Sequence, residues 1–256
     1  MLGHCDPVPW MLDRAVPQEL SVDHLKAEWK SQQQRVLRRV GPSSDPALDA
    51  ATFDISVAER DRGVLGGPFE KLEDLPYDDV CLVPRHGVWE QHGGATTPTA
   101  RATDDRLVGG QNGAVSYAST HRPADGDALC AQQRALQERF PSSGTAGWTS
   151  DFAKAYKQVP HTPAYTALIV IAQWSPMEKS VLFWLAYTQL FGGSSAPQNF
   201  SRYPAWFCFA LAAALAVAVQ HCVDDMLSMD RGETVEVGWQ CWRRLAAALG
   251  WDMPDR

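Results

Sequence analysis

The spacing of apolar and polar residues predicts two helices in the first 150 residues. Residues 19–40 place six apolar side chains among lysines, arginines and glutamines, which predicts an amphipathic helix with Ser21 as its N-cap. Residues 126–140 predict a second helix. Because 11 of the 17 prolines lie before residue 151, the rest of this half is expected to form short elements joined by long connections.

The second half shows strand and helix patterns in alternation. Residues 165–174 and 180–190 are rich in β-branched and aromatic residues, as buried strands are. Residues 196–219 are long and alanine-rich, which predicts a helix. Its apolar part, 205–219, is 15 residues long, short of the roughly 18 to 20 needed to span a bilayer. A buried helix is therefore expected, and a membrane anchor is the alternative.

The last predicted elements are a hairpin and a helix. Two short apolar runs within residues 220–229 flank Asp224 and Asp225, which predicts a β-hairpin with this acidic pair at its tip. Residues 233–249 carry apolar side chains at spacings of three and four, as on one face of a helix. Strands that alternate with helices indicate an α+β or α/β domain.

Composition narrows the class of protein. The chain has 256 residues, is 45% hydrophobic and has a net charge of −7, so any nucleic-acid binding must use a local basic patch. Only six of the 69 residues in 151–219 are charged, and this stretch is expected to be the core. The six cysteines form no CxxC pair and no signal peptide is recognisable, which predicts an intracellular protein, cytoplasmic or nuclear, that is not secreted.

Carboxylates are the candidate chemical groups. The sequence contains no phosphate-binding P-loop, no GxSxG and no HExxH, and neighbouring His-Cys pairs make a poor zinc site. Asp151, Asp224 and Asp225 lie in the charge-poor half, where isolated acids are costly unless they are paired or bind a metal. The alternative is that the acidic pair forms a solvated turn and that Asp151 caps a helix.

Three segments in order resemble the palm motifs of retroelement reverse transcriptases. They are TSDFAKAYKQVP (149–160), LFGGSSAPQNFSR (190–202) and CVDDML (222–227). GVLGGPF (63–69), PRHGVWEQ (84–91) and RATDD with GGQN (101–112) are similar to the fingers of these polymerases, and WRRLAAALGWDM (242–253) to the elements after the catalytic hairpin. The resemblance covers roughly residues 57–253.

The resemblance implies an α+β right-hand polymerase, with a palm of antiparallel sheet packed on helices, partial fingers and no thumb. The implied divisions are an N-terminal extension (1–56), a fingers-like region (57–147) and a palm (148–256) that is truncated at its C-terminal end. The implied activity is RNA-directed DNA synthesis, with a template-primer and deoxynucleoside triphosphates as partners and no membrane.

Site residues follow from the same resemblance. Asp151, Asp224 and Asp225 would bind two Mg²⁺ ions, with Mn²⁺ as an alternative ion. Nucleotide-binding roles fall to the residues in matching positions: Tyr156 under the incoming sugar, Arg101 at the triphosphate, and Gly192, Ala196 and Pro197 in the loop beneath the nucleotide. The alternatives are a core tyrosine and a surface arginine. Phe200 is expected to be core.

Two departures from the family pattern bear on activity. Cys222 stands where the family has an aromatic residue before the acidic pair. The residues for a primer grip and thumb are also missing from the sequence. A catalytically inactive, truncated retroelement remnant that acts at most as a binding or assembly module is therefore the alternative function.

Overall fold

The computed structural model describes residues 18–91, 96–116 and 126–253, and the fold is α+β. The described helices are α1 (Val22–Ala27), α2 (Trp29–Leu37), α3 (Pro46–Asp61), α4 (Gly126–Arg139), α5 (Pro163–Thr166), α6 (Ala196–Leu215) and α7 (Val235–Ala248). The described strands are β1 (Leu65–Phe69), β2 (Leu82–Glu90), β3 (Thr99–Asp104), β4 (Thr145–Ser150), β5 (Val170–Ser175), β6 (Ser180–Ala186), β7 (Gln220–Cys222) and β8 (Asp225–Arg231).

The chain forms two compact units that alternate along the sequence. The larger unit comprises Val16–Tyr117 and Val159–Ala196, and the smaller unit comprises Met1–Ala15, Ala118–Gln158 and Pro197–Arg256. The division of the chain into an extension, fingers and palm remains a prediction.

A five-stranded sheet in the order β1-β6-β5-β2-β3 forms the centre of the larger unit. The β2–β5 pair is parallel and the other pairs are antiparallel. Successive residues of a strand point to opposite faces, so Leu82 and Val83 of β2 enter different cores. Val36 of α2 packs on one face and Phe53 of α3 on the other. The sheet is therefore covered on both sides by helices.

The predicted helix over 19–40 is divided into α1 and α2. Ser21 caps α1 as predicted, since its Oγ accepts a hydrogen bond from the His24 amide at 3.0 Å. The break falls at Glu28, the residue between the two helices. On α2 the buried side chains include Gln32 and Gln33, whose amides donate to the backbone carbonyls of Leu82 and Val80. Apolar periodicity alone underestimated this buried face.

A buried ion network joins α3 to β2 and β3. Arg85 forms two hydrogen bonds with Asp104, at 2.7 and 3.0 Å, and contacts Glu59 at 2.8 Å and Ser56 at 2.9 Å. Burial alone would lower the pKa of Arg85, but the two carboxylates outweigh it and hold the pKa above its ordinary value. The network therefore keeps a charged residue in the middle of the sheet.

The strands predicted over 165–174 and 180–190 are shorter in the structure. Pro163 begins the helical turn α5, so β5 starts only at Val170. β6 ends at Ala186, and the prediction for residues 187–190 was wrong. The sequence pattern also missed α3 and β2, which supply much of the core before residue 100.

The smaller unit is built around a three-stranded antiparallel sheet in the order β4-β8-β7. Phe152, directly after β4, is fully buried among aromatic rings of α6 and α7: its ring centroid lies 5.4 Å from that of Phe200 and 5.2 Å from that of Trp242. Phe207 of α6 contacts the same tryptophan at 4.9 Å. This cluster anchors the helices to the end of β4. Phe200 is core, as predicted.

The helix predicted over 196–219 ends at Leu215, and its apolar part is not fully buried. Phe207 and Leu211 are buried, but Trp206 and Phe209 on other sides of α6 are 49% and 70% exposed. The expectation of a buried helix at 205–219 is therefore wrong for one face, because an alanine-rich helix has only a narrow row of large side chains to bury. No helix among the described residues is long and apolar enough to cross a membrane.

The remaining predictions in this unit hold with small changes. α4 occupies the predicted 126–140 region, and α7 the predicted 233–249 region. Trp239 and Trp242 are buried as their spacing predicted, but Leu249 lies beyond the helix and is 49% exposed.

Candidate functional site

Strand pairing brings the three predicted acids to one end of the smaller sheet. Ser150, the last residue of β4, is paired with Met226 of β8. Asp151 follows Ser150 and Asp225 precedes Met226, so the two aspartates occupy the next antiparallel position. Neighbouring strands lie about 5 Å apart. The sequence-distant Asp151 is therefore beside the acidic pair.

The β7–β8 hairpin presents Asp224 at the same end. Cys222 is paired with Asp225, which leaves Val223 and Asp224 as a two-residue turn. Val223 has a φ of 57°, in the left-handed region that a β-branched residue rarely adopts. Asp225 is thus the first residue of β8 and Asp224 is the acid at the tip. The hairpin prediction is confirmed in position and type.

The electrostatics of this end reflect three acids held close together. Partial burial raises the pKa of Asp151 to about 6, and the charges of Asp224 and then Asp225 act in the same direction, against a hydrogen bond from the Phe152 amide that lowers it. Burial and the Asp224 charge also raise the pKa of Asp225. Among the described residues, no lysine or arginine forms an ion pair with any of the three. The cluster carries uncompensated negative charge.

The loop that carries Asp151 is fixed from two sides. Phe152 is buried in the aromatic cluster, and its amide donates to Asp151 Oδ1 at 2.7 Å. Gln158 donates to the carbonyls of Ala153 at 2.7 Å and Asp252 at 2.9 Å, while its Oε1 accepts from the Asp252 amide at 2.7 Å. The segment after α7 therefore supports the loop after β4.

The donor chemistry of the cluster fits a hard divalent cation. Carboxylate oxygens are the protein ligands that Mg²⁺ prefers, and it usually takes one or two of them together with water and substrate phosphates. Within residues 18–91, 96–116 and 126–253, no group of three or more His, Cys, Asp or Glu side chains is arranged as a ready-made metal cage. The three acids are thus suited to an ion whose remaining ligands come with the substrate.

Tyr156 and Pro197 lie in the same unit as the acids. Tyr156 is in a short 3-10 turn, Ala155–Gln158, and its ring packs edge-on against Phe200 with 5.5 Å between centroids. It remains partly exposed. Pro197 is in the first turn of α6, where its carbonyl accepts a hydrogen bond from Ser201 Oγ at 2.6 Å. Tyr156 is therefore both packed on the core and accessible.

Arg101, Gly192 and Ala196 belong to the larger unit. Arg101, on β3, forms an ion pair with Glu90 at 3.0 Å and lies over the Phe191 ring at 4.8 Å. The next residue, Gly192, has a φ of 84°, and a Cβ there would collide with the backbone carbonyl of Asp104. Ala196 is buried at the start of α6. Arg101 and the 191–192 loop thus come together, as a pair separate from the acidic cluster.

Sequence reasoning gave no role to two residues that hold these loops. Asn112 clamps the glycine loop: its amide donates to the Gly192 carbonyl at 2.9 Å and accepts from the Ser194 amide at 3.0 Å. Gln158 clamps the Asp151 loop. Asn112 stands in the GGQN segment and Gln158 directly before Val159 and Pro160. Position within a motif was the only available signal, since a side-chain amide has no periodicity.

No family model matches the chain, and no curated protein matches it either. The acidic cluster and the loops around it therefore carry the functional argument.

Proposed function

We propose that the protein is the RNA-directed DNA polymerase domain of a retroelement, of the right-hand palm type. The observation that carries the proposal is the β4–β8 pairing, which puts Asp151 beside Asp225 and the hairpin tip. Three motif-like segments in palm order and this antiparallel arrangement are independent of each other. Their agreement supports nucleotidyl transfer over a solvated turn.

The chemistry requires carboxylates that neutralise charge where a primer hydroxyl meets a triphosphate. When bound, two Mg²⁺ ions would activate the primer 3′-hydroxyl and stabilise the charge on the phosphates. Asp151 and Asp224 would hold both ions, with Asp225 as the supporting acid. Release of the mutual repulsion that raises the pKa of Asp151 favours the ionised, cation-bound form of the cluster.

The other predicted residues would select and hold the nucleotide. The half-exposed Tyr156 ring would occupy the space that a ribose 2′-hydroxyl needs, which favours deoxynucleotides. Arg101 would contact the triphosphate, after exchange of its Glu90 partner for phosphate oxygens. Gly192, Ala196 and Pro197 would shape the loop beneath the nucleotide.

Primer extension by the full 256-residue chain tests the proposal. An RNA template, a labelled DNA primer, deoxynucleotides and Mg²⁺ are supplied, and Asp151→Asn and Asp224→Asn are compared with Asp127→Asn, an exposed acid in the first turn of α4. Each site variant is expected to lose at least about 100-fold in rate, and Asp127→Asn to keep the wild-type rate. Equal rates in all three would refute the assignment.

The alternative, an inactive remnant, predicts a different pair of results. Mn²⁺ binding, measured by electron paramagnetic resonance, reports on the cluster without catalysis. Wild-type binding that Asp224→Asn removes, together with no extension on any template, would favour the remnant. Neither binding nor extension would leave the acidic cluster without a metal-dependent function.

A further inference from the structure

The surface of the larger unit carries a basic face on an overall acidic protein. Residues 29–44 contain four positive side chains and no acidic one, although the net charge of the chain is −7. The four are Lys30, Arg35, Arg38 and Arg39, all exposed on α2 or directly after it. We call them the basic face. Among the described residues, none of the four forms an ion pair.

The basic face lies where α2 turns its other side into the protein. Gln32, Gln33 and Val36 are buried, so the remaining arc of the helix points to solvent. Arg35 is held there by a hydrogen bond from its Nε to the Val108 carbonyl at 3.2 Å. Unneutralised cations concentrated on one helix face attract a polyanion even when the whole protein is acidic.

A cavity of about 260 Å³ opens beside the end of this face. Arg39 forms part of its wall, together with Trp174 and Gln173 of β5. A water molecule takes about 30 Å³ of liquid volume, so the cavity has room for a group of on the order of ten heavy atoms, which is the size of a nucleobase.

Gln173 in the cavity wall has unused hydrogen-bonding capacity. It is 2% exposed, and neither its carboxamide nitrogen nor its oxygen has a hydrogen-bond partner. It stands beside Arg85 in the parallel β2–β5 pairing, but Arg85 is occupied by Glu59 and Asp104. A glutamine carboxamide, with a donor next to an acceptor, matches the edge of adenine.

The acids in the cavity exclude a phosphate from it. Asp49 and Asp105 both line the wall. The Asp49 carboxylate accepts from the Ser43 amide, and that of Asp105 from the amides of Leu107 and Val108. An uncharged base is therefore the suitable occupant, with phosphates on the arginines outside.

We propose that the basic face and this cavity together bind single-stranded nucleic acid. Phosphates lie along Arg35, Arg38 and Arg39, and one unpaired base enters the cavity against Trp174, with its edge on a reoriented Gln173 side chain. A duplex cannot supply that base without unpairing it, so single strands are preferred. The inference rests on the proposed function, since it says where a polymerase holds a strand, but binding needs no catalysis.

Fluorescence anisotropy with labelled 20-nucleotide oligo(A) RNA, oligo(dA) DNA and a duplex of equal length tests the proposal on the full chain. The variant R35Q/R38Q/R39Q changes the net charge from −7 to −10, and the control R62Q/K71Q/K179Q makes the same change with exposed cations elsewhere in the larger unit. The first is expected to bind oligo(A) about 100-fold more weakly at 0.1 M salt, with a salt slope smaller by about two. Equal losses in both triple variants would overturn the basic face.

Gln173→Leu tests the cavity. The leucine leaves all charges in place, so oligo(A) affinity is expected to fall about tenfold while the salt slope stays the same. The melting temperature without ligand is expected to rise, because an unpartnered amide is removed from the interior. Unchanged affinity, or equal affinity of the wild type for duplex and single strand, would refute the base pocket. Loss of extension with normal oligo(A) binding in Asp224→Asn would separate this site from the catalytic proposal.

Discussion

The acidic cluster should destabilise the metal-free protein at neutral pH. In the folded state Asp151 has a pKa of about 6, raised from 3.8, so its ionised form is less favourable folded than unfolded. A shift of this size corresponds to at most about 3 kcal/mol. The side chain is exposed, and solvent screening reduces the cost to about 1 kcal/mol.

The sign of the pH dependence follows from proton binding. Between pH 3.8 and about 6 the folded state holds the Asp151 proton more tightly than the unfolded chain does, so the free energy of unfolding falls as pH rises through this range. Below pH 3.8 both states are protonated and the cost disappears. Above about pH 6 it is fully present.

Asp151→Asn is therefore expected to stabilise the protein by about 1 kcal/mol at pH 7.5 and to have no stabilising effect at pH 3.5. In a chain of this size that corresponds to a melting temperature higher by about 2 to 4 °C, measured by circular dichroism in EDTA at both pH values. Mg²⁺ should raise the melting temperature of the wild type more than that of the variant. Asp127→Asn, which removes a favourable charge from a helix N-terminus, should be slightly destabilising.

A destabilising effect of Asp151→Asn at pH 7.5 would refute this reasoning. It would mean that the carboxylate makes a stabilising interaction that outweighs the repulsion from Asp224 and Asp225. A stabilisation that is equally large at pH 3.5 would also contradict it, because the cause could not then be charge.

Three further predictions concern the residues around the site. Gly192→Ala should lower the free energy of unfolding by about 2 to 4 kcal/mol, because the new Cβ meets the Asp104 carbonyl, whereas Gly63→Ala, also at positive φ but with open space, should cost about 1 kcal/mol; similar costs in urea denaturation would contradict the clash. Asp104→Asn should cost about 3 to 5 kcal/mol, since it leaves the Arg85 charge buried with a weaker partner, against less than about 1 kcal/mol for the surface acid in Asp61→Asn; a small loss for both would argue against a tight network. Tyr156→Ala should raise the ratio of ribonucleotide to deoxyribonucleotide incorporation, and Tyr156→Phe, which keeps the ring, should leave this ratio unchanged; an unchanged ratio in both would make Tyr156 a core residue only.

Local patterns predicted the smaller unit well. The hairpin could be predicted because two apolar runs, a two-residue turn and an acidic pair all lie within ten residues of each other. The helices α4 and α7 followed from spacing alone. The place of Asp151 beside Asp225 could not be read from periodicity. It followed only from the order of the motif-like segments, because 74 residues separate the two positions.

The larger unit was harder to predict for a physical reason. β2 contains Pro84 and the buried Arg85, so its pattern does not show a buried strand. Arg85 is accommodated by Glu59 and Asp104, which lie 26 and 19 residues away along the chain. The amide clamps of Gln32 and Asn112 likewise act on distant backbone. Partners at such separations leave no local signal in the sequence.

The alternation of the two units along the chain sets an order for folding during synthesis. β4 ends at Ser150, but its sheet partner β8 begins only at Asp225. A ribosome that adds about 5 to 20 residues per second needs about 4 to 15 seconds for the intervening segment. All five strands of the larger sheet precede residue 187, so that sheet can close while β4 still lacks its neighbour. The nascent chain therefore passes through a stage in which the strand leading to Asp151 is an open edge, available to a chaperone or to another nascent chain.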